Sequence, residues 1–303
     1  MSRLGPWLGL GGFVVAIVLA FAGLFAAIDA SRDADDVIVV GSKNFSESWI
    51  LAEIYAQRIE KTTDLRVKRR HALGSTQICM AAITGGELDL YPEYTGTGLR
   101  AILQAAMPTD GASVLDVVRR RFHDEYDLTW GEPMAFDNTY ALAMPRAKAR
   151  ALGVSTISDL VAHPELVGGF ATEFMARADG YPGLRTHYGL SPTTEPRAME
   201  AGLMYQAADA GEVDVISAYA TDARVDKFDL VLLEDDRGFF PPYRAAPLWR
   251  GALLRARPEL VEALAPLAGR IDDTQMRRLN AQVDIERRDP ADVAAQWLLA
   301  QGL

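Results

Sequence analysis

Gly86-Glu87-Leu88-Asp89-Leu90-Tyr91-Pro92-Glu93-Tyr94 is the stretch that decides the fold, because its frame returns later as Gly211-Glu212-Val213-Asp214-Val215-Ile216-Ser217-Ala218-Tyr219. Each copy follows an alanine-rich amphipathic segment, turns at Gly-Glu, runs as a short apolar strand and reaches a tyrosine. A helix–turn–strand unit used twice carries an aromatic ring to the C-terminal end of a strand. In open α/β sheets that edge is where ligands bind. The pattern predicts two similar lobes, a cleft between them, and rings offered from both sides.

Outward from the first copy, Val37-Ile38-Val39-Val40 closed by Gly41 reads as a buried strand. Residues 46–61 carry a helical stripe at Trp49, Ile50, Ile54 and Ile59, with Asn44 and Glu47 spaced as a capping box. Residues 65–71 read as a second strand, 75–84 as a second helix and 88–90 as a third strand. This βαβαβ order implies a parallel sheet with helical cover. Around the second copy, strands are expected at 140–143, 168–171, 213–216 and 230–233, with helices at 180–188 and 196–210. Past Pro241-Pro242 a helical tail follows, apolar at Leu260, Leu264, Leu267 and Ile271. The order places one lobe (residues 138–243) as an insertion in the other (residues 37–137 and 244–303). The chain then crosses near 136–139 and again near 239–243, where the proline pair stiffens it.

With 303 residues, 49% hydrophobic and 24% charged, the chain is globular and large enough for one large domain or two ordinary ones. A net charge of −10 argues against nucleic acid as a partner. The uncharged run from Trp7 to Ile28, preceded by Arg3, is long enough for one membrane span. Residues 1–30 therefore read as a signal peptide or a retained anchor, and the rest as extracytoplasmic or periplasmic. Cys79 is the single cysteine and sits in an apolar stretch, so no intramolecular disulfide is expected.

At the motif level the chain resembles the substrate-binding proteins of ABC-type glycine betaine/carnitine/choline transporters. The resemblance rests on Gly41-Ser42-Lys43-Asn44-Phe45-Ser46-Glu47, Asp89-Leu90-Tyr91-Pro92-Glu93-Tyr94-Thr95-Gly96-Thr97 and Asp137-Asn138-Thr139-Tyr140. It continues in Asp179-Gly180-Tyr181-Pro182-Gly183-Leu184, Ala218-Tyr219-Ala220-Thr221-Asp222 and Phe240-Pro241-Pro242-Tyr243. It implies an α/β, type II periplasmic-binding-protein fold of two lobes joined by a two-strand hinge. It also implies a quaternary-ammonium ligand caged by Tyr94, Tyr140, Tyr219 and Tyr243, with its carboxylate held by Lys43, Thr97 and Arg177. Asn138 falls beside the cage, where some relatives carry an acidic residue. The partners implied are that ligand, glycine betaine first, and the permease subunits of an importer, with the protein itself a monomer. A choline- or carnitine-specific binding protein and an anchored sensor of such ligands are the alternatives.

The chemistry of these residue types agrees with that role. A trimethylammonium group has no N–H, so it is held by the negative faces of aromatic rings. A carboxylate at the other end calls for the charge-assisted donors of Lys and Arg. Each residue also has a plainer reading: a half-buried tyrosine, a solvated lysine, a helix-capping threonine. Asp89 and Glu93 read as solvated turn or strand-end groups, and residues 66–70 as a basic strand with one wet face. His71, His123, His163 and His187 lack metal-ligand spacing, and no nucleophile–base pair or phosphate loop appears. Neither an enzyme, a metal nor a cofactor is expected.

Overall fold

The computed structural model describes residues 36–109 and 112–303. The apolar segment read as a signal or anchor lies outside the described residues. Among those described, no helix is long and apolar enough to cross a membrane.

Strand β1 (Val37–Gly41) pairs in parallel with β2 (Arg66–Arg70) and β3 (Leu90–Tyr94), connected through helices α1 (Ser46–Thr62) and α2 (Thr76–Thr84). This is the βαβαβ unit expected from the sequence. Helix α3 (Val114–Tyr126), started by a Ser113–Asp116 capping box, leads to β4 (Leu128–Trp130). The chain then leaves to build a second sheet. Its strands are β5 (Tyr140–Pro145), β6 (Gly168–Ala171), β7 (Arg197–Met199), β8 (Val215–Tyr219) and β9 (Leu230–Leu232). Helices α4 (Arg146–Leu152), α5 (Thr172–Ala176), α6 (Tyr181–Tyr188) and α7 (Ala201–Asp209) accompany these strands. The chain returns as β10 (Ala245–Arg250), which runs antiparallel between β3 and β4.

The two sheets share one plan. Their orders are β2-β1-β3-β10-β4 and β7-β6-β8-β5-β9, each five-stranded. In each, three parallel strands are followed by an antiparallel one, β10 or β5, which the chain supplies directly after arriving from the other sheet. The two passages run side by side: Asp137 and Arg244 form an antiparallel bridge, and the Asn138 N–H donates to the Tyr243 carbonyl at 3.2 Å. Strands β4, β7 and β10 escape the sequence reading: β4 is short, β7 occupies residues expected to open the helix at 196–210, and β10 directly follows a proline-rich crossing.

The echoed motif is a structural repeat, but its strands begin two residues later than expected. Glu87 and Leu88 N–H donate to the Ala82 carbonyl at 2.8 and 3.1 Å; Glu212 and Val213 donate to Ala207 at 2.8 and 3.4 Å. These bonds hold residues 87–88 and 212–213 in the turn. Gly86 (φ +78°) and Gly211 (φ +72°) occupy the left-handed region that glycine enters without strain. Asp89 and Asp214 then each accept a backbone N–H, from Val39 of β1 at 2.9 Å and from Val167, just before β6, at 2.8 Å. Local turn chemistry thus sets the phase that carries Tyr94 and Tyr219 to the last position of their strands.

Two further expectations change. Helix α1 has Phe45 at its N-cap with no side-chain cap, so the capping box read from Asn44 and Glu47 does not form. The basic strand β2 is an edge strand whose Arg69 and Arg70 pair with Glu53, Glu60 and Glu87. Charges of this kind blunt an exposed sheet edge. Under the first sheet, α1 buries Ile50, Leu51, Ile54, Tyr55 and Ile59 completely. Helix α8 (Asp273–Asp284) and helix α9 (Pro290–Ala300) close over α1, the latter with Val293, Ala294, Trp297 and Leu298. Asp272 and Asp289 cap these helices by accepting from Gln275 at 2.7 Å and Ala291 at 2.8 Å. Cys79 is fully buried, and burial pushes its thiol up to about 11.

Candidate functional site

Tyr140 opens β5 and Tyr219 closes β8, and antiparallel pairing sets them directly opposite each other. Their ring centroids lie 4.9 Å apart at 34°. Tyr243, just before β10, meets Tyr140 edge-on at 5.5 Å and 87°. Phe174 and Phe240 add rings 5.0 and 6.0 Å from Tyr140. The group therefore stands beside the two chain passages. Burial raises the phenols of Tyr140 and Tyr243 well above their ordinary value and Tyr219 to about 12, so all three remain neutral with intact negative faces.

Arg177, extended at the end of α5, lies over this group with its guanidinium carbon 5.6 Å from the Tyr140 centroid. Its Nε and Nη2 hold both oxygens of buried Asp179 at 2.8 and 2.5 Å, while the Tyr243 hydroxyl donates to Asp179 Oδ2 at 2.6 Å. Burial acts to raise the Asp179 carboxyl, but these donors outweigh it and hold it below the usual carboxylate range. Asp179 thereby fixes the Arg177 fork and the Tyr243 ring together.

The first sheet contributes a different arrangement. Tyr94, buried at the end of β3, packs its ring on Phe45 at 6.0 Å. Lys43 Nζ lies 5.4 Å from the Tyr94 centroid and donates to Glu93 Oε1 at 2.6 Å. Glu93 is fully buried rather than solvated, and it also accepts from the Tyr91 hydroxyl at 3.1 Å and the Tyr94 N–H at 2.7 Å. Asp89 also departs from the solvated reading, pairing with Arg250. Thr97 is buried in the helical turn Thr95–Thr97. A Cβ on Gly96 of that turn would stand 2.7–2.9 Å from the Tyr243 ring. The missing methyl lets the ring lie on the turn that follows Tyr94, which joins the two halves of the site.

Asn138 donates to Glu47 Oε1 at 2.8 Å, and Glu47 is the residue that sequence reasoning missed. Its carboxylate also accepts from the Tyr94 hydroxyl at 2.7 Å, from Thr221 at 2.6 Å and from Asn280 at 3.0 Å. Burial raises its pKa even though these four donors oppose the shift. A glutamate in a first helical turn is ordinarily explained by capping or by the helix dipole, so only its place at the end of the Gly41–Glu47 motif marked it. Asp179 and Phe240 were signalled only by the motifs that contain them, and Phe174 by none.

A surface hollow of about 640 Å³ lies at the opposite end of β5, lined by Arg146, Arg150, Val231 and Glu234 among others. It presents no aromatic face, and Arg146 is already paired with Asp229 at 2.7 Å. The ring group, not this hollow, has the chemistry for a cation. Among the described residues no cluster of His, Cys, Asp or Glu is arranged to hold a metal ion.

Two five-stranded α/β sheets of common plan, joined by two adjacent passages with rings beside them, define a solute-binding protein of the type II periplasmic class. Residues 36–300 match the family model for the substrate binding domain of ABC-type glycine betaine transport systems, and the chain belongs to that family. It is 38% identical over 295 residues to the glycine-betaine-binding protein of Pseudomonas aeruginosa, covering 93% of each chain. The carnitine transport binding protein of Listeria monocytogenes is 32% identical, over 87% of this chain and 86% of its own. Among solved structures, a glycine betaine/carnitine/choline ABC transporter protein superposes with a TM-score of 0.76 at 32% identity, over 88% of this chain and 98% of that one.

Proposed function

We propose that this protein captures a quaternary-ammonium compatible solute, glycine betaine first, outside the cytoplasm and hands it to the permease of an ABC importer. The observation that carries the proposal is the convergence of Tyr140, Tyr219 and Tyr243 beside the chain crossings, with Arg177 over the Tyr140 ring. The trimethylammonium end sits against neutral tyrosine faces, each contributing about 0.5–2 kcal/mol according to how fully water is excluded. Tyr94 adds a face from the first sheet.

The ligand carboxylate is received by donors that already have partners. Lys43 spends one of its three N–H groups on Glu93, and Arg177 has five, so both retain capacity for a second acceptor. Choline has no carboxylate to use these donors, which favours a betaine or carnitine. Residues 37–137 with 244–303 form one lobe and 138–243 the other. Ligand contact with both favours the closed arrangement, which is the form that docks on the permease. The names borne by the relatives from Pseudomonas aeruginosa and Listeria monocytogenes support this reading.

Calorimetry with glycine betaine, proline betaine, carnitine, choline and ectoine tests the ligand class. Glycine betaine is expected to bind most tightly, with saturating ligand reducing the radius of gyration in small-angle scattering. Preference for choline or carnitine would reassign the ligand. Heat from none of the five would remove the proposal.

A further inference from the structure

We propose that Glu47 is a positioning residue, a latch that couples the orientation of the Tyr94 ring to closure between the two sheets. Five separate segments meet at its carboxylate: α1 itself, the end of β3, the first crossing, the loop after β8, and α8. Oε1 accepts from Tyr94 of the first sheet and Asn138 of the crossing, at 2.7 and 2.8 Å. Oε2 accepts from Thr221, two residues past Tyr219 in the second sheet, and from Asn280 of α8, at 2.6 and 3.0 Å. Each oxygen is therefore shared between parts that separate when the sheets move apart.

An ionised carboxylate has about four acceptor positions, and neutral donors fill all four here. These hydrogen bonds include no lysine or arginine, so the charge is balanced by donor number and geometry alone. A buried carboxylate that loses its donors must recover water or become protonated. The contact of Thr221 and Asn138 with Glu47 is thus favourable only while the donors stay in register. Asn280 anchors the assembly from the far side, its Nδ2 also donating to the Thr221 carbonyl at 3.0 Å.

The ring is coupled through its hydroxyl. Donation to a carboxylate polarises the phenol and makes its face more electron-rich, which strengthens its hold on a cation. The crossing residue Asn138 is itself neutral and hydrogen-bonded to Glu47, so the negative charge sits one hydrogen bond behind the crossing.

The ligand arm of the test rests on the proposed function, whereas the closure arm does not. Spin labels placed at Gln77→Cys on α2 and Glu212→Cys beside β8, both exposed, report the distance between the sheets without reaching buried Cys79. Glu47→Gln, which keeps the shape but turns a donor toward donors, is expected to broaden and lengthen that distance in the ligand-free protein. It is also expected to weaken glycine betaine binding at least tenfold. Thr221→Val should produce a smaller change of the same kind, and the double variant should be no worse than Glu47→Gln alone, because the two act through one interaction. A distance distribution unchanged by Glu47→Gln overturns the latch, and so do losses that add in the double variant. If no quaternary-ammonium ligand binds the wild type, the ligand-free distances alone decide the matter. Should Glu47→Gln fail to fold, Thr221→Val carries the test, and an unaltered distance distribution in it refutes the proposal.

Discussion

Replacing Gly96 by alanine should damage the ring group selectively, and the size of the effect follows from contact distances. The new Cβ would lie 2.7, 2.8 and 2.9 Å from Tyr243 Cδ1, Cε1 and Cγ. Carbon atoms in contact prefer about 3.5–4.0 Å, so the ring must retreat by roughly 0.7–1 Å. It has little freedom to do so. The Tyr243 hydroxyl is held by Asp179 at 2.6 Å, and its edge meets Tyr140 at 5.5 Å. Overpacking of this kind costs about 1–3 kcal/mol, a fall in melting temperature of roughly 2–4 °C per kcal/mol for a chain of this size. Because the displaced ring belongs to the proposed cage, glycine betaine affinity should fall by about 5–30-fold as well, equivalent to roughly 1–2 kcal/mol. Gly98→Ala is the control. Its Cβ would meet Trp130 at 2.8 Å and Phe122 at 3.3 Å, in the core beside α3 and away from the rings. Both variants should melt earlier, but only Gly96→Ala should lose affinity by calorimetry. Equal affinity losses in the two, or unchanged binding in Gly96→Ala, would refute the idea that the Gly96 turn seats Tyr243 for the ligand.

Tyr94→Ala and Tyr219→Ala should each weaken betaine binding by about 1–2 kcal/mol, and phenylalanine at Tyr219 should restore most of it; unaltered titrations in both alanine variants would take these rings out of the site. Arg177→Ala should cost betaine about 1.5–3 kcal/mol more than choline, and it should lower the melting temperature too, because Asp179 at 2% exposure is left buried without its cation. Equal losses for the two ligands would assign Arg177 to the fold alone. The pH dependence of stability has a defined sign at Asp179. Its folded pKa is depressed below the unfolded value of about 3.9, so the native state binds fewer protons there. Its contribution is present above about pH 4 and is lost as pH falls through the folded value. Asp179→Asn should be less stable at neutral pH and lose stability less steeply on acidification, and parallel acid-unfolding curves would contradict the assignment.

What local chemistry can encode, the sequence determined by itself. The βαβαβ order, the helical stripe of α1 and the two Gly-Glu turns arise from periodicity and from backbone conformations that neighbouring residues impose. The turns at Gly86 and Gly211 even set which residues end their strands, although the expected strand limits fell early. Tyr94 and Tyr219 were legible as a pair for this reason, and Tyr140 and Tyr243 from the motifs that contain them. Tertiary structure alone decided which side chains complete one another. The Lys43–Glu93 ion pair, the Arg177–Asp179–Tyr243 chain and the ring against Gly96 depend on where a strand, a loop and a crossing come to rest. Glu47 shows the limit most clearly. Its spacing from Asn44 suggested a helix cap, yet its donors are Tyr94, Asn138, Thr221 and Asn280, separated from it by 47, 91, 174 and 233 positions. Desolvation makes such a carboxylate depend on every one of those partners, and no local pattern can announce a group whose surroundings exist only once both sheets are built.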